Sequence, residues 1–113
     1  MDRDPAYVAD IVGACREIAK FIGEGSREEF LSNHMMMSAV VRQLEIVGEA
    51  TKRLSRAFRD AHPQIPRRRM AGLRDVLIHL YDEVDLDLVW EIAATEISAV
   101  REPLARLLPP EKE

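Results

Sequence analysis

Hydrophobic positions recur every three or four residues along most of the chain, which is the spacing of one face of an α-helix. The first such stripe follows Asp4 and Pro5 and stops before Gly23, and its members are Val8, Ile11, Val12, Cys15, Ile18, Ala19 and Ile22. Proline suits a first helical turn and glycine favours a helix end. The pattern therefore predicts a first helix over about residues 4–22.

A capping box predicts where the second helix begins. Ser26 is followed three residues later by Glu29, so the helix is expected to open at Arg27. An apolar stripe then continues to the prolines at 63 and 66, through Val40, Leu44, Val47, Leu54 and Phe58, with Thr51 in register. We expect one long helix in this segment, with a break near Asn33.

Two further helices complete the predicted fold. A third would begin near Arg67, with an inner edge of Met70, Leu73, Leu77 and Tyr81. A fourth, capped by Asp85, would present Leu86, Val89, Trp90, Ala93, Ile97, Val100 and Leu104 before Pro109 and Pro110. No segment alternates with period two, so we expect an all-α, up-and-down bundle of four to five helices. Residues 1–108 would form one domain and residues 109–113 a frayed tail.

Composition narrows the class of protein. The chain has 113 residues, 47% of them hydrophobic, which suits one domain with its own core. Its single cysteine excludes an intramolecular disulfide, the opening residues do not resemble a signal peptide, and no apolar run approaches the roughly 20 residues of a membrane span. We therefore expect a cytoplasmic protein without membrane contact. Cys15 is expected in the core, and the methionines at 35–37 in packing or a partner surface.

Positive charge is concentrated in the middle of the chain. Residues 52–74 contain eight basic and one acidic side chain, although the whole chain has a net charge of −4. The basic side chains are Lys52, Arg53, Arg56, Arg59, Arg67, Arg68, Arg69 and Arg74. Arg67–69 fall at a predicted helix start, where the helix dipole disfavours cations. Binding of RNA would account for them, and so would pairing with the acidic residues at 82–87; both interpretations stay open.

The residues from 74 to 81 combine several reactive types within two helical turns. Asp75 and His79 are four residues apart, so on a helix the carboxylate can orient the imidazole and favour its protonated form. The Arg74 side chain is long enough to bend towards a phosphate bound beside His79. Cleavage of RNA by its own ribose hydroxyl needs a proton acceptor, a proton donor and cations. The simpler alternative is a surface Asp–His pair beside a core tyrosine.

One chain supplies only part of this catalytic set. Two copies with these segments facing each other would bring together two histidines and two arginines, and two-fold pairing is the commonest symmetry of soluble oligomers. The sequence contains no HExxH, no paired CxxC and no glycine-rich phosphate loop. We therefore expect no metal and no cofactor.

The ordered motif Arg74-x4-His79-x-Tyr81 resembles that of the HepT-like toxins of the HEPN superfamily. Residues 41–50, the following Lys52-Arg53-Leu54-Ser55 and residues 84–90 also resemble the family's helical signatures. The likeness extends over about residues 4–104.

This resemblance implies a homodimeric HEPN bundle acting as the toxin of a type VII-like toxin–antitoxin pair. The implied activity is metal-independent cleavage of RNA that leaves a cyclic phosphate, with His79 as the acid–base residue, Arg74 on the phosphate and Asp75 beside it. The implied partner is an MntA-type nucleotidyltransferase that silences the toxin by adenylylating Tyr81. The alternative is a non-catalytic partner subunit that binds nucleotide or docks the transferase.

Overall fold

The protein is an α-helical bundle. The computed structural model describes residues 3–65 and 86–108. The helices in these two ranges are α1 (Asp4–Ile22), α2 (Arg27–Ser32), α3 (His34–Arg53), α4 (Arg56–Ala61), α5 (Leu86–Glu91), a π-helical segment (Ile92–Glu96) and α6 (Ile97–Ala105). The two ranges contain no β-strand, which confirms the predicted all-α class.

One core holds these helices together. Helix α1 packs along α3 and also contacts α6 and the π-helical segment. The largest fully buried side chains are Ile11, Ile18, Leu44, Leu104, Val8, Val12, Val40, Val47, Val89, Val100 and Phe30. All but Phe30 belong to the stripes predicted from the sequence. Periodicity therefore identified most of each buried face, because burial of a contiguous apolar face is what stabilises each helix. At the end of α1 the predicted face extends too far, since Ala19 is exposed and Ile22 only half-buried.

The ends of α1 and α2 follow their local signals. Helix α1 has Pro5 in its first turn and ends at Gly23, whose φ of 54° lies in the left-handed region that glycine adopts without strain. Helix α2 is capped by Ser26, whose Oγ accepts a hydrogen bond from the backbone N–H of Glu29 at 3.2 Å. Both predicted boundaries are confirmed.

The predicted long second helix is interrupted twice. The break at Asn33 is confirmed: its backbone is extended, and its side chain caps α3 by accepting from the N–H of Met36 at 3.0 Å. The expected continuation through Phe58 is wrong, because α3 ends at Arg53. Ser55 is extended and its Oγ accepts from the N–H of Phe58 at 3.0 Å, so a new helix starts instead.

The last helix contains a π-helical segment that its sequence pattern did not reveal. Ala93 is buried as predicted, and Ile92 is buried as well, because the wider π-helical turn brings an additional residue to the inner face. Leu86 and Trp90 are half-buried, and the Trp90 ring lies 5.4 Å from that of Phe30. Three predicted features of the fold lie outside the described residues: the third helix, the Asp85 cap and the tail at 109–113. None of the helices described is both long and apolar enough to span a membrane.

Candidate functional site

The predicted motif lies between the two described parts of the chain. Its catalytic residues Arg74, Asp75 and His79, the predicted modification site Tyr81, and the basic residues Arg67, Arg68 and Arg69 are all outside the described residues. Their roles therefore stay predictions. The described chain stops on one side at buried Ile65 and resumes at half-buried Leu86, and both side chains belong to the core or pack against it.

The surface next to Ile65 is built by a sharp change of direction after α3. Residues 52–62, which we call the α3–α4 corner, are fastened to the start of α1 by a buried carboxylate. Asp4 Oδ1 accepts from the N–H of Ser55 at 2.8 Å, and Asp4 Oδ2 accepts from its Oγ at 2.5 Å. Asp4 therefore holds the N-cap residue of α4.

Arg59 stabilises the α3–α4 corner through hydrogen bonds to the backbone. Its Nε and Nη2 donate to the carbonyl oxygen of Leu54, at 3.1 and 2.9 Å. Leu54 is the C-cap residue of α3, and carbonyl groups at a helix C-terminus lack donors within the helix. The neighbouring His62 packs its ring 4.5 Å from that of Phe58. Arg59 is half-buried and thus stabilises the turn that follows α3.

The other cations of the α3–α4 corner are exposed. Lys52 and Arg53 make no ion pair with any residue of the described ranges. Arg56 is 94% exposed, and its guanidinium lies 4.0 Å from the carboxylate of Asp60, which is itself 68% exposed. An ion pair so hydrated is weak. The corner therefore presents three outward positive charges.

The sequence analysis missed an ion pair between two helices of the chain. Arg27 of α2 binds Asp87 of α5 through Nη2 and Oδ1, although the two residues are 60 positions apart. The acidic residues at 82–87 had been matched only with Arg67–69. Local spacing carries no signal for such a pair, because it arises only when α2 and α5 pack together.

Cys15 is a core residue, as predicted. It is fully buried, and burial raises the pKa of its thiol from 9.0 to about 12, against the opposing effect of the Arg101 charge. The thiol is therefore protonated at neutral pH and is not a nucleophile.

The methionine run divides between core and surface. Met37 is buried and Met36 half-buried, whereas Met35 is 83% exposed. Met37 also lines an open groove with His34, Val41 and Leu86. Within residues 3–65 and 86–108, no three His, Cys, Asp or Glu side chains are grouped closely enough to hold a metal ion.

The described helices define the class of this molecule: a small all-α bundle whose motif of arginine, histidine and tyrosine lies in the chain between α4 and α5. A family model described as ribonuclease HepT-like matches residues 11–107, and the chain belongs to this family. The predicted family is thereby confirmed.

Several relatives align with this chain over most of both sequences. "Probable ribonuclease HepT" of Thermococcus cleftensis is 39% identical over 89% of this chain and 92% of its own. A protein of Methanocaldococcus jannaschii with a provisional RNase name is 37% identical, covering 91% and 89%. A similarly named protein of Caldanaerobacter subterraneus is 35% identical, covering 94% and 95%. No solved structure matches the chain.

Proposed function

We propose that this chain is the toxin of a type VII-like toxin–antitoxin pair and cleaves RNA in the cytoplasm without a metal ion. One observation carries the proposal: the HepT-like family match covers residues 11–107 and includes the complete Arg74, His79 and Tyr81 motif. The ribonuclease names of relatives that align over about nine-tenths of both chains support the same activity.

The proposed reaction needs only groups that the chain itself supplies. The ribose 2′-hydroxyl attacks the adjacent phosphorus, and the bond from phosphorus to the 5′-oxygen breaks. One imidazole accepts the hydroxyl proton and a second donates a proton to the departing oxygen, leaving a 2′,3′-cyclic phosphate and a 5′-hydroxyl. His79 takes these proton-transfer roles. Arg74 balances the negative charge that builds up on the phosphate, while Asp75 orients the imidazole.

Two identical chains would complete this set. A single chain has one His79 and one Arg74, whereas the reaction uses a proton acceptor and a proton donor together. We therefore propose a homodimer in which the two motifs face one phosphodiester, so that assembly creates the catalytic site. The basic residues Arg67, Arg68 and Arg69 are proposed to bind the RNA backbone leading to it.

The proposed regulation acts through Tyr81. An MntA-type nucleotidyltransferase partner would transfer AMP from ATP to the Tyr81 hydroxyl and release pyrophosphate. The added nucleotide is bulky and negatively charged, so it repels RNA phosphates from the same cleft. Such a modification would silence the toxin while leaving its fold intact.

The nuclease activity is tested with purified protein and RNA in excess chelator. We expect cleavage to continue, with 2′,3′-cyclic phosphate ends, and we expect His79→Ala to abolish it. His34→Ala is the matched control, because His34 is exposed on α3 and lies outside the motif. Full cleavage by His79→Ala would remove that residue from the mechanism.

The proposed silencing is tested by mass spectrometry after incubation with the transferase, ATP and magnesium. We expect one adenylate on the peptide containing Tyr81, none in Tyr81→Phe, and loss of RNA cleavage in step with modification. Modification that persists in Tyr81→Phe would refute the site. A chain that binds nucleotide or the transferase and never cuts RNA would support the non-catalytic alternative.

A further inference from the structure

The α3–α4 corner carries positive charges that form no strong ion pair within the described residues. Residues 52–62 contain four cationic side chains and one acidic one, Asp60. Arg59 is bound to the Leu54 carbonyl, whereas Lys52, Arg53 and Arg56 are exposed. We infer that these three side chains, none of which belongs to the 74–81 motif, form a binding surface for the phosphate backbone of RNA. This inference rests on the proposed function.

The three cations are close enough to contact one strand. Lys52 and Arg56 are four residues apart, so even a fully extended chain would place their backbones no more than about 14 Å from each other. Leu54 and Ser55 are anchored in between, the first by Arg59 and the second by Asp4. The side chains therefore project from a fixed backbone, which lowers the conformational entropy lost on binding.

Helix stability explains only part of this charge. Lys52 and Arg53 lie in the last turn of α3, where the helix dipole favours cations. Arg56 lies in the first turn of α4, where the dipole disfavours them. Its Asp60 partner is too hydrated to compensate. An external polyanion accounts for all three cations together.

The surroundings favour RNA over a protein partner. Protein interfaces depend on apolar and aromatic anchors, and in the described ranges the exposed large hydrophobic residues are Met35 and Leu107, neither in the corner. Two exposed cations elsewhere lie closer to acidic partners: Lys20 is 3.4 Å from Glu17, and Arg106 is 2.9 Å from Glu102. The corner instead offers charge without apolar anchors, which suits contacts with phosphates.

The test measures binding of a fluorescent single-stranded RNA to the full chain carrying His79→Ala, so that the probe stays intact. The corner variant adds Lys52→Gln, Arg53→Gln and Arg56→Gln. The matched control adds Lys20→Gln, Arg42→Gln and Arg106→Gln, which removes the same charge from exposed residues that have acidic partners. The dissociation constant is followed across a salt series, and thermal melting confirms that both variants fold.

We expect the corner variant to bind at least tenfold more weakly at low salt. The negative slope of the logarithm of the association constant against the logarithm of salt concentration should become shallower by about 2, since each phosphate contact on single strands contributes about 0.7 to its magnitude. Arg56→Gln alone should make the slope shallower by about 0.7. The control should keep the parent slope. Exchanging lysine and arginine at the three positions should preserve binding, because the charge is retained.

Three results would overturn the inference. If the corner variant has the slope and affinity of the control while the unmutated chain still cleaves RNA, the inference is refuted and the proposed nuclease function stands. Loss of transferase binding with RNA binding unchanged would assign the corner to a protein partner instead. If the unmutated chain neither binds nor cleaves RNA, both the inference and the proposed nuclease function fail.

Discussion

Arg56 and Arg59 lie three residues apart, but their side chains are in different environments. The guanidinium of Arg59 donates two hydrogen bonds to the Leu54 carbonyl and holds a corner of the fold. That of Arg56 is almost fully exposed, and among the described residues its ion-pair partner is the exposed carboxylate of Asp60 at 4.0 Å. The sequence identifies both as cations within a basic segment, but the partner of each side chain depends on where the backbone turns. The residue type sets the available chemistry, and the surroundings select its use.

Cys15 gives a pH-dependent test at the same scale. In the unfolded chain the thiol ionises near its ordinary pKa of 9.0, whereas in the folded chain burial raises the pKa to about 12. Between these values the unfolded state binds fewer protons, so stability decreases as pH rises, by up to about 1.4 kcal/mol per pH unit. Below pH 9 both states are protonated and this effect disappears.

The measurement is urea unfolding between about pH 8 and about pH 11, comparing the unmutated chain with Cys15→Ala. Other groups also titrate in this range, so the quantity of interest is the difference between the two chains. That difference should shrink as pH rises through the window. A constant difference would show that the thiol does not remain protonated in the folded state.

Helix ends were predictable where a local signal stood alone. Gly23, Ser26 and Asn33 each end or begin a helix as the sequence indicated. The end of α3 was missed because the apolar stripe continues in register through Leu54 and Phe58, while Ser55 offered only a single capping side chain. In the structure that cap is reinforced by Asp4, 51 positions earlier. A local signal was present, and a distant contact made it decisive.

Replacing Ser55 tests this reinforcement. Ser55→Ala removes the cap of α4 and a hydrogen bond to the Asp4 carboxylate, so we expect a loss of about 2 kcal/mol in the free energy of unfolding. Ser26→Ala removes a cap of the same type, and no hydrogen bond from its hydroxyl to a distant residue is found in the described ranges; it should cost about 1 kcal/mol. Chemical denaturation measures both. Equal losses would show that the Asp4 contact adds nothing.

A double-mutant cycle isolates the contact itself. Asp4→Ala and Ser55→Ala should cost less together than the sum of their separate effects, since each removes the same hydrogen bond. Additive losses would mean that the two side chains stabilise the protein independently.

At the scale of the whole molecule, the bundle and the family are shown, while the composite active site is a proposal. The family match covers the chain from residue 11 to residue 107, which is most of the bundle. In the proposed mechanism a second chain would complete the motif, because the reaction uses a proton acceptor and a proton donor together and one copy has a single His79. Function would therefore depend on association, which makes subunit mixing a direct test.

Mixing unmutated and His79→Ala subunits should inhibit the unmutated chain. Each proposed site uses the His79 side chains of both chains, so a mixed dimer lacks one proton-transfer group, and random pairing of equal amounts leaves about a quarter of the dimers intact. After subunit exchange, RNA cleavage should fall to about that fraction of the level given by the same total amount of unmutated chain. Cleavage at about half of that level despite proven exchange would contradict a shared site.

The sequence by itself determined the all-α class, the buried faces of α1, α3 and the last helix, and most described helix ends. These features depend on periodicity and caps within a few residues of each other. It also supplied the Arg74, His79 and Tyr81 motif, whose roles stay predictions. Only the tertiary structure decided that α3 stops at Arg53, that Asp4 holds Ser55, that Arg27 pairs with Asp87 and that Arg59 binds the Leu54 carbonyl. Each of these last features depends on where the chain turns or on side chains that only packing brings together.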